Sequence, residues 1–227
     1  MSVGWLTAFL DFPAEDFAAG TAFWLAVTAT TLSPVRGEDG EFATLVPTAG
    51  DAFLRVQRLG GGPARVHLDV HRADAEFAVR RSPGGFEFCD VDGDERARPA
   101  PVGWPGGHTS LVDQVCLDIP GDLFDEECAF WAAELGGEAL AGSRPEFRAL
   151  VRPLGIPLRV LLQRLDEPTG PVRAHLDLAT TDRAAETARH VALGATVAGH
   201  GPRWTVLHDP TGLAYCVTDR NPTTGLL

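Results

Sequence analysis

Several features that would assign the chain to a common class are missing from its sequence. No apolar run approaches the roughly 20 residues that a membrane-spanning helix needs, and the amino terminus has no basic segment followed by an apolar one. The four cysteines form no CxxC pair and are not closely spaced, which argues against a disulfide framework and a structural zinc site. We therefore expect a soluble, cytoplasmic protein.

Basic charge is also scarce. The chain has 31 acidic and 19 basic side chains, which gives a formal net charge of −12. Such a surface repels phosphate backbones and anionic lipids, so no nucleic-acid or membrane partner is expected. The hydrophobic fraction of 44% and the charged fraction of 22% are typical of a globular protein with a core.

What the sequence does contain is a repeat. Four motifs occur twice: Phe23–Trp24 and Phe130–Trp131, Gln57–Leu59 and Gln163–Leu165, Arg65–Val70 and Arg173–Leu178, and Pro83–Cys89 and Pro210–Cys216. The residue numbers of the first three pairs differ by 106 to 108, whereas those of the last pair differ by 127. The first copy therefore lacks 19 residues before its final motif.

The spacing of apolar residues predicts the same order of elements in both copies, a strand, a helix and three strands. The second copy contains this set twice within residues 111–220, with helix N-caps predicted at Asp122 and Asp182 and a β-turn at Asp209–Gly212. The first copy begins with a strand over 3–12 and a helix over 14–27, and its second set lacks about one helix and one strand.

These elements predict two domains of the α+β class. The first covers residues 1–93, with its second module shortened, and the second covers residues 111–222 and is complete. Between them, residues 94–110 contain several prolines and charges and are predicted to be a linker.

Successive side chains of a strand point to opposite faces, so alternation sorts the second copy into two faces. The apolar face takes Val115, Leu117, Leu176, Leu178, Leu213, Tyr215 and Val217. The polar face takes Gln114, Cys116, Asp118, Arg159, Leu161, Gln163, His175, Asp177, Ala214, Cys216 and Thr218. We expect helices over the apolar face. The polar set has small and hydrogen-bonding side chains, which favours the lining of a cavity over a solvent-exposed surface.

The sequence resembles the vicinal oxygen chelate superfamily in its glyoxalase-like branch, which includes glyoxalases, extradiol dioxygenases and bleomycin-resistance proteins. The resemblance lies in Ala174–Leu178, in Trp204–Val217 and in the tandem βαβββ order. It extends over nearly the whole chain and is weakest over residues 72–110. It implies an α+β fold in which tandem βαβββ modules form curved mixed sheets, with the first copy abbreviated.

For metal-dependent members, the resemblance implies ligands on the first and last strands of each module. In the second copy these positions fall on Gln114, on Leu161 or Gln163, on His175 and on Cys216; in the first they fall on Thr7, on Arg55 or Gln57, on His67 and on Cys89. The carboxylates of such members are missing, and one His with one Cys gives only two strong ligands. The cofactor therefore stays unknown and a divalent metal is disfavoured, although Asp69, His71 and Glu87 share the face of His67 and leave another ligand set open.

The candidate ligand-binding residues are the polar side chains on these faces. They are Gln114, Gln163, His175, Asp177 and Cys216 in the second copy and Gln57, His67, Asp69 and Cys89 in the first. A structural role stays open for each type: the histidines can bond to a neighbouring strand, the aspartates can brace the preceding histidine, and the cysteines can pack as small apolar groups. No base is placed to form a thiolate, so no residue is given a catalytic role.

The predicted function is the binding of a small-molecule ligand in the polar cavity. One alternative is a metal-dependent lyase or dioxygenase, in which a divalent ion acts as a Lewis acid. Another is a structural or assembly module with a relic pocket. Modules of this kind pair within a chain or across a homodimer, and the sequence leaves both arrangements open.

Overall fold

The computed structural model describes residues 3–93, 97–142, 144–152 and 155–227. The first half contains β1 (Val3–Pro13), α1 (Phe17–Thr28), β2 (Thr31–Leu32), β3 (Phe42–Val46), β4 (Leu54–Leu59), β5 (Arg65–Arg72), β6 (Ala78–Arg81) and β7 (Glu87–Val91). The predicted linker begins outside the described residues, at 94–96, and contains the short strand β8 (Val102–Gly103).

The second half has the longer set of elements. It contains β9 (Thr109–Ile119), α2 (Phe124–Leu135), β10 (Ala139–Ala141), β11 (Phe147–Leu150), β12 (Arg159–Arg164), β13 (Arg173–Thr180), α3 (Arg183–Ala192), β14 (Thr196–His200), β15 (Trp204–His208) and β16 (Ala214–Thr218). No helix among the described residues combines the length and the apolar character needed to cross a bilayer.

The strands of the described residues form two mixed sheets. Their orders are β2-β3-β4-β1-β5-β7-β6 and β10-β11-β12-β9-β13-β16-β15-β14, with β8 paired to the start of β9. In each sheet the first strands of the two modules are antiparallel neighbours, and each pairs in parallel with the last strand of its own module. This arrangement confirms the predicted α+β fold of tandem modules in curved mixed sheets.

The shortening of the first copy falls where α3 and β14 stand in the second half. Residues 73–77 join β5 directly to β6, which becomes the edge of the sheet. An ion-pair network lies beside this shortened region: Arg80 pairs with Asp90 at 3.1 Å, and Arg72 pairs with Asp90 and, at 2.9 Å, with Glu134 of α2. Charged side chains thus tie α2 to the first sheet at this point.

The apolar faces of both sheets share one core with the helices. From α1, the Trp24 ring lies 5.3 Å from that of Tyr215 on β16, and its Nε1 donates a 3.0 Å hydrogen bond to Asp209. From α2, the Trp131 ring lies 5.1 Å from that of Phe88 on β7. Both α1 and α2 therefore contact the sheet of the other half, and the halves pair within one chain.

Local capping follows the sequence at one helix and departs from it at another. Asp182 accepts a 3.0 Å hydrogen bond from the Ala185 amide, as predicted for α3, and the Gly212 amide closes the predicted turn on the Asp209 carbonyl at 3.0 Å. The prediction for Asp122 was wrong. A 3₁₀ turn over Gly121–Leu123 precedes α2, and backbone carbonyls of residues 167 and 168 accept its first two amides, so no side-chain cap forms.

Candidate functional site

The polar face of the second sheet lines a cavity of about 570 Å³, here called the second-sheet cavity. It contains all five candidates of the second copy: Gln114, Gln163, His175, Asp177 and Cys216. The strand register brings them together, because Cys116 and Gln114 on β9 lie directly opposite His175 and Asp177 on β13, and Cys216 on β16 lies beside Asp177. Leu161 pairs with Cys116 and Gln163 with Asp118, so Leu161 lies level with His175 and both β12 positions line the cavity.

His175 stands at the centre of this site between two carboxylates. Its Nδ1 lies 2.9 Å from Asp118 Oδ2, and its Nε2 lies 3.4 Å from Asp177 Oδ1. Burial opposes a charge on the ring, but the groups around it, the Asp118 carboxylate among them, outweigh burial, and the pKa of His175 is raised above its ordinary value. Asp118 thereby fixes the ring so that Nε2 points to Asp177, where either a proton or a cation would satisfy both groups.

Two buried oxygens in the cavity make no hydrogen bond to any described residue: Gln114 Oε1 and Asp177 Oδ1. The other atoms of these side chains are engaged with each other, since Gln114 Nε2 donates to Asp177 Oδ2. The 3.4 Å approach of His175 to Asp177 Oδ1 is an ion-pair contact without hydrogen-bond geometry. Buried polar atoms are seldom left unpaired in proteins, so these two oxygens indicate a missing donor or cation.

Two thiols complete the set of donors. Cys116 Sγ lies 3.6 Å from Gln163 Oε1, and both Cys116 and Cys216 are buried. Burial raises the pKa of Cys116 to about 12 and also raises that of Cys216, although His175 acts in the opposite direction. Without a bound cation both are therefore thiols near neutral pH.

The donors fit a divalent metal better than the sequence suggested. Donor atoms of His175, Asp177 and Cys216 lie within 4.8 Å of one another, and so do those of Cys116, Asp118 and His175. The sequence counted only His and Cys as strong ligands. The structure adds the Asp177 carboxylate, whose Oδ1 has no hydrogen bond. Imidazole, thiolate and carboxylate together suit zinc or cobalt, and a bound ion would deprotonate the thiol outright.

The first sheet has the same polar triad on a filled face. Donor atoms of His67, Asp69 and Cys89 lie within 4.8 Å of one another, and His67 Nδ1 lies 2.8 Å from Asp11 Oδ2, as His175 lies near Asp118. Burial raises the pKa of Cys89 to about 12, with a further contribution from Asp69. Gln57 is paired with Asp11 on the adjacent strand.

Two substitutions between the copies close this first face. Phe9 stands where the second sheet has Cys116, and its ring stacks on His67 at 4.5 Å. Arg55 stands where the second sheet has Leu161; its guanidinium lies 5.6 Å above the Phe9 ring and 3.6 Å from Asp69 Oδ2. The space that forms a cavity on one sheet is thus occupied by side chains on the other.

The alternation pattern placed Cys116, Asp118 and Arg159 on the polar face, but the prediction left them out of the binding set. Arg220, which follows β16, was missed altogether. Arg144, Arg159, Arg203 and Arg220 line the second-sheet cavity, where Asp177 supplies the only side-chain carboxylate of the lining among the described residues. For a chain of net charge −12, this local excess of positive charge is the opposite of the average surface. Arg220 continues the alternation of Cys216 and Thr218 but lies two residues beyond the end of β16, and the face sorting was applied only within strands.

The fold and the sequence agree on the family. The glyoxalase-like domain family matches residues 7–89 and 114–218, so the chain belongs to that family and to the vicinal oxygen chelate superfamily. The two matched segments coincide with the two sheets and omit the region around β8. No curated protein matches the chain significantly.

Solved structures of the superfamily share the architecture at low identity. A Mn(II)-bound glyoxalase from Novosphingobium aromaticivorans has a TM-score of 0.64 and 18% identity, and the match covers 96% of this chain and 82% of the glyoxalase. The halotolerant catechol dioxygenase BphC has a TM-score of 0.60 and 14% identity, over 96% of this chain and 87% of the dioxygenase. A mutant of 4-hydroxymandelate synthase from Streptomyces coelicolor has a TM-score of 0.59 and 13% identity, over 99% and 94%. At these low sequence identities the comparison shows that the chain shares the fold of these proteins.

Proposed function

We propose that this protein binds a small molecule in the second-sheet cavity. The observation that carries the proposal is the pair of buried oxygens, Gln114 Oε1 and Asp177 Oδ1, that make no hydrogen bond to the described residues. Leaving such atoms unsatisfied costs about 1–3 kcal/mol each, so a bound donor is favoured there. A volume of about 570 Å³ lies in the range of small-molecule sites, and a few converging polar groups beside Leu161 and Trp204 would orient the ligand.

The test is a ligand screen by thermal shift, followed by calorimetry. The wild type is compared with Leu161→Trp, which fills the cavity, and with Val79→Trp, which adds the same ring at an exposed site on the first sheet. The screen includes small organic acids, enolisable carbonyl compounds, catechols and bleomycin. We expect a compound that stabilises the wild type and Val79→Trp but not Leu161→Trp. A binder that stabilises all three equally, or no binder at millimolar concentration, would contradict the proposal.

A second candidate function is metal-dependent catalysis in the same cavity. It is favoured by the convergence of His175, Asp177 and Cys216 within 4.8 Å and by the Asp118 contact that orients the imidazole. The Mn(II)-bound glyoxalase is a structural neighbour that contains a metal. A divalent ion held by these residues would supply Lewis-acid activation of a substrate oxygen. The residues themselves would bind and orient the ligand. The proton between His175 and Asp177 would be replaced by the ion.

Cobalt substitution tests this second function without an activity assay. A Co²⁺–thiolate band in the near ultraviolet is expected for the wild type and for His208→Gln, whose histidine is exposed and does not line the cavity. His175→Gln should abolish the band, because it removes the one donor that both cavity triads share. Elemental analysis of protein purified without chelators measures the natural ion. A band that survives in His175→Gln would place cobalt elsewhere and would remove the argument for this function.

A further inference from the structure

Four arginines converge at the end of the second-sheet cavity, where they border an adjoining cavity of about 520 Å³. They are Arg98, Arg152, Arg159 and Arg220, here called the arginine cluster. They come from four separate segments: Arg98 precedes β8, Arg152 lies two residues after β11, Arg159 begins β12, and Arg220 lies two residues after β16. The two cavities share Arg159 and Arg220 as lining residues, together with Leu140 and Ala149.

The described contacts neutralise little of this charge. Arg220 pairs with the fully buried Asp113 at 2.7 Å, which is the only ion pair of the cluster among the described residues. Arg98 donates to the Pro222 and Thr223 carbonyls at 3.2 Å, and Arg152 donates to the Pro157 carbonyl at 3.1 Å. These carbonyls accept hydrogen bonds but carry no negative charge, so Asp113 is the one carboxylate that forms an ion pair with the four guanidinium groups among the described residues.

Arg159 is the least satisfied member. Its Nε is buried and has no hydrogen-bond partner among the described residues, and the same is true of Arg98 Nε. Burial and the neighbouring Arg220 lower the pKa of Arg159 to about 10, and burial lowers those of Arg98 and Arg152. The protein thus holds cations close together and partly out of water, an arrangement that an anion would stabilise.

We propose that the arginine cluster is the oxyanion subsite of the ligand, which is therefore a small molecule bearing a carboxylate or a phosphate. Guanidinium groups bind either anion through paired N–H donors, and a strongly hydrated ammonium would not supply the same fork. Because Arg159 and Arg220 border both cavities, the anionic end would bind at the cluster while the remainder lies towards His175 and Asp177. The placement of the rest of the ligand near His175 and Asp177 rests on the proposed function, whereas anion binding by the arginine cluster does not.

Inorganic phosphate and oxalate test the cluster directly, as separate arms at constant ionic strength set with sodium chloride. We compare the wild type with Arg159→Gln and with Arg173→Gln, which removes the same charge from an exposed arginine paired with Glu167. Either anion is expected to raise the melting temperature of the wild type and of Arg173→Gln. The Kd for that anion should rise at least about tenfold in Arg159→Gln, since a charge-assisted bond is lost. The arm with the stronger response identifies the carboxylate or the phosphate.

The apo Arg159→Gln protein provides a second measurement. We expect it to melt at or above the wild-type temperature, because the change removes an unpaired cation from among like charges. The proposal is overturned if neither anion stabilises the wild type more than chloride does, or if all three proteins respond equally. Leu161→Trp distinguishes anion binding by the cluster from ligand binding in the second-sheet cavity. If phosphate or oxalate still binds but no organic ligand binds to any variant, the cavity function is contradicted and the anion subsite stands.

Discussion

The two polar faces of this chain have nearly the same side chains, but only one of them borders an open cavity among the described residues. Both have a histidine held by an aspartate, a second aspartate and a cysteine, with donor atoms within 4.8 Å. On the second sheet these groups line a cavity of about 570 Å³. On the first, Phe9 and Arg55 cover them. Duplicated polar residues therefore do not make duplicated sites, because the volume of two neighbouring side chains decides which face admits a ligand.

The halves differ again in what supports their last strands. In the second half, α3 places Glu186 in full burial, where it accepts hydrogen bonds from His108 at 2.8 Å and from Arg189 at 2.8 and 2.9 Å. The first half has no counterpart of α3 between β5 and β6, and its ion-pair network lies partly exposed between β6, β7 and α2. The Glu186 network of the second half is thus more deeply buried than the ion-pair network of the shortened region.

The largest expected effect concerns these two charge networks. Glu186→Gln should lower the free energy of unfolding by about 3–5 kcal/mol, because it leaves Arg189 and the adjacent histidines without their buried carboxylate. Glu134→Gln should lower it by only about 1–2 kcal/mol, since Asp90 still pairs with Arg72 and Arg80 and solvent screens the site. Urea unfolding of both variants measures the difference. Equal losses of stability would show that the ion-pair network of the shortened half stabilises the protein as much as the buried Glu186 network does.

The next effect tests the filled and open faces at register-equivalent positions. Phe9→Ala should cost about 3 kcal/mol, because its ring is 5% exposed and packs on His67 and Phe42. Cys116→Ala should cost about 1 kcal/mol, since it removes one sulfur at the floor of a cavity. The measurement is again urea unfolding. A loss for Cys116→Ala as large as that for Phe9→Ala would mean that the second face is packed as tightly as the first.

A smaller effect depends on pH. The pKa of His175 is raised in the folded protein, so its stabilising contribution is complete below the ordinary value of 6.5 and is lost as the pH rises through the folded pKa. Asp118→Asn removes one cause of the raised pKa. The stability advantage of the wild type over Asp118→Asn should therefore be full below pH 6.5 and shrink as the pH rises through the folded pKa.

Unfolding titrations across this pH range, with Asp122→Asn as an exposed control, measure this advantage. Histidine NMR titration should show the pKa of His175 falling in Asp118→Asn. A difference in stability that stays constant with pH would contradict the assigned cause.

The smallest effect leaves stability unchanged and concerns thiol reactivity. Burial raises the pKa of Cys89 on the first face to about 12 and also raises the pKa of Cys216 on the second. Both should react with iodoacetamide at pH 7.5 at least about a hundredfold more slowly than in unfolded protein. A ligand of the second-sheet cavity should slow Cys216 further and leave Cys89 unaffected, as read by mass spectrometry. Equal protection of the two thiols would remove the distinction between the faces.

Much of the fold and part of the cavity lining followed from local sequence pattern. The repeat predicted two copies of strand, helix and three strands, and the displacement of its last motif located the missing helix and strand between β5 and β6. Alternation placed Gln114, His175, Asp177 and Cys216 on one face, and the structure brings them into one cavity. These features are readable because strand parity and register need only local sequence.

Other features required the chain to be folded. Both α1 and α2 contact the sheet of the opposite half, as in the packing of Trp24 on Tyr215, and no local spacing encodes such a choice. Phe9 covers the first polar face because its ring stacks on His67, which lies on the neighbouring strand. The arginine cluster likewise brings together residues that are far apart in the sequence, such as Arg98 and Arg220.

The sequence by itself determined the duplicated modules, the shortened copy and the identity of the polar face. Only the tertiary structure decided which face stays open, how the halves share a core and where the arginines gather. The physical reason is range: strand alternation and helix periodicity act between near neighbours in the chain, whereas cavity volume and electrostatic convergence depend on side chains that meet only after the sheets have formed.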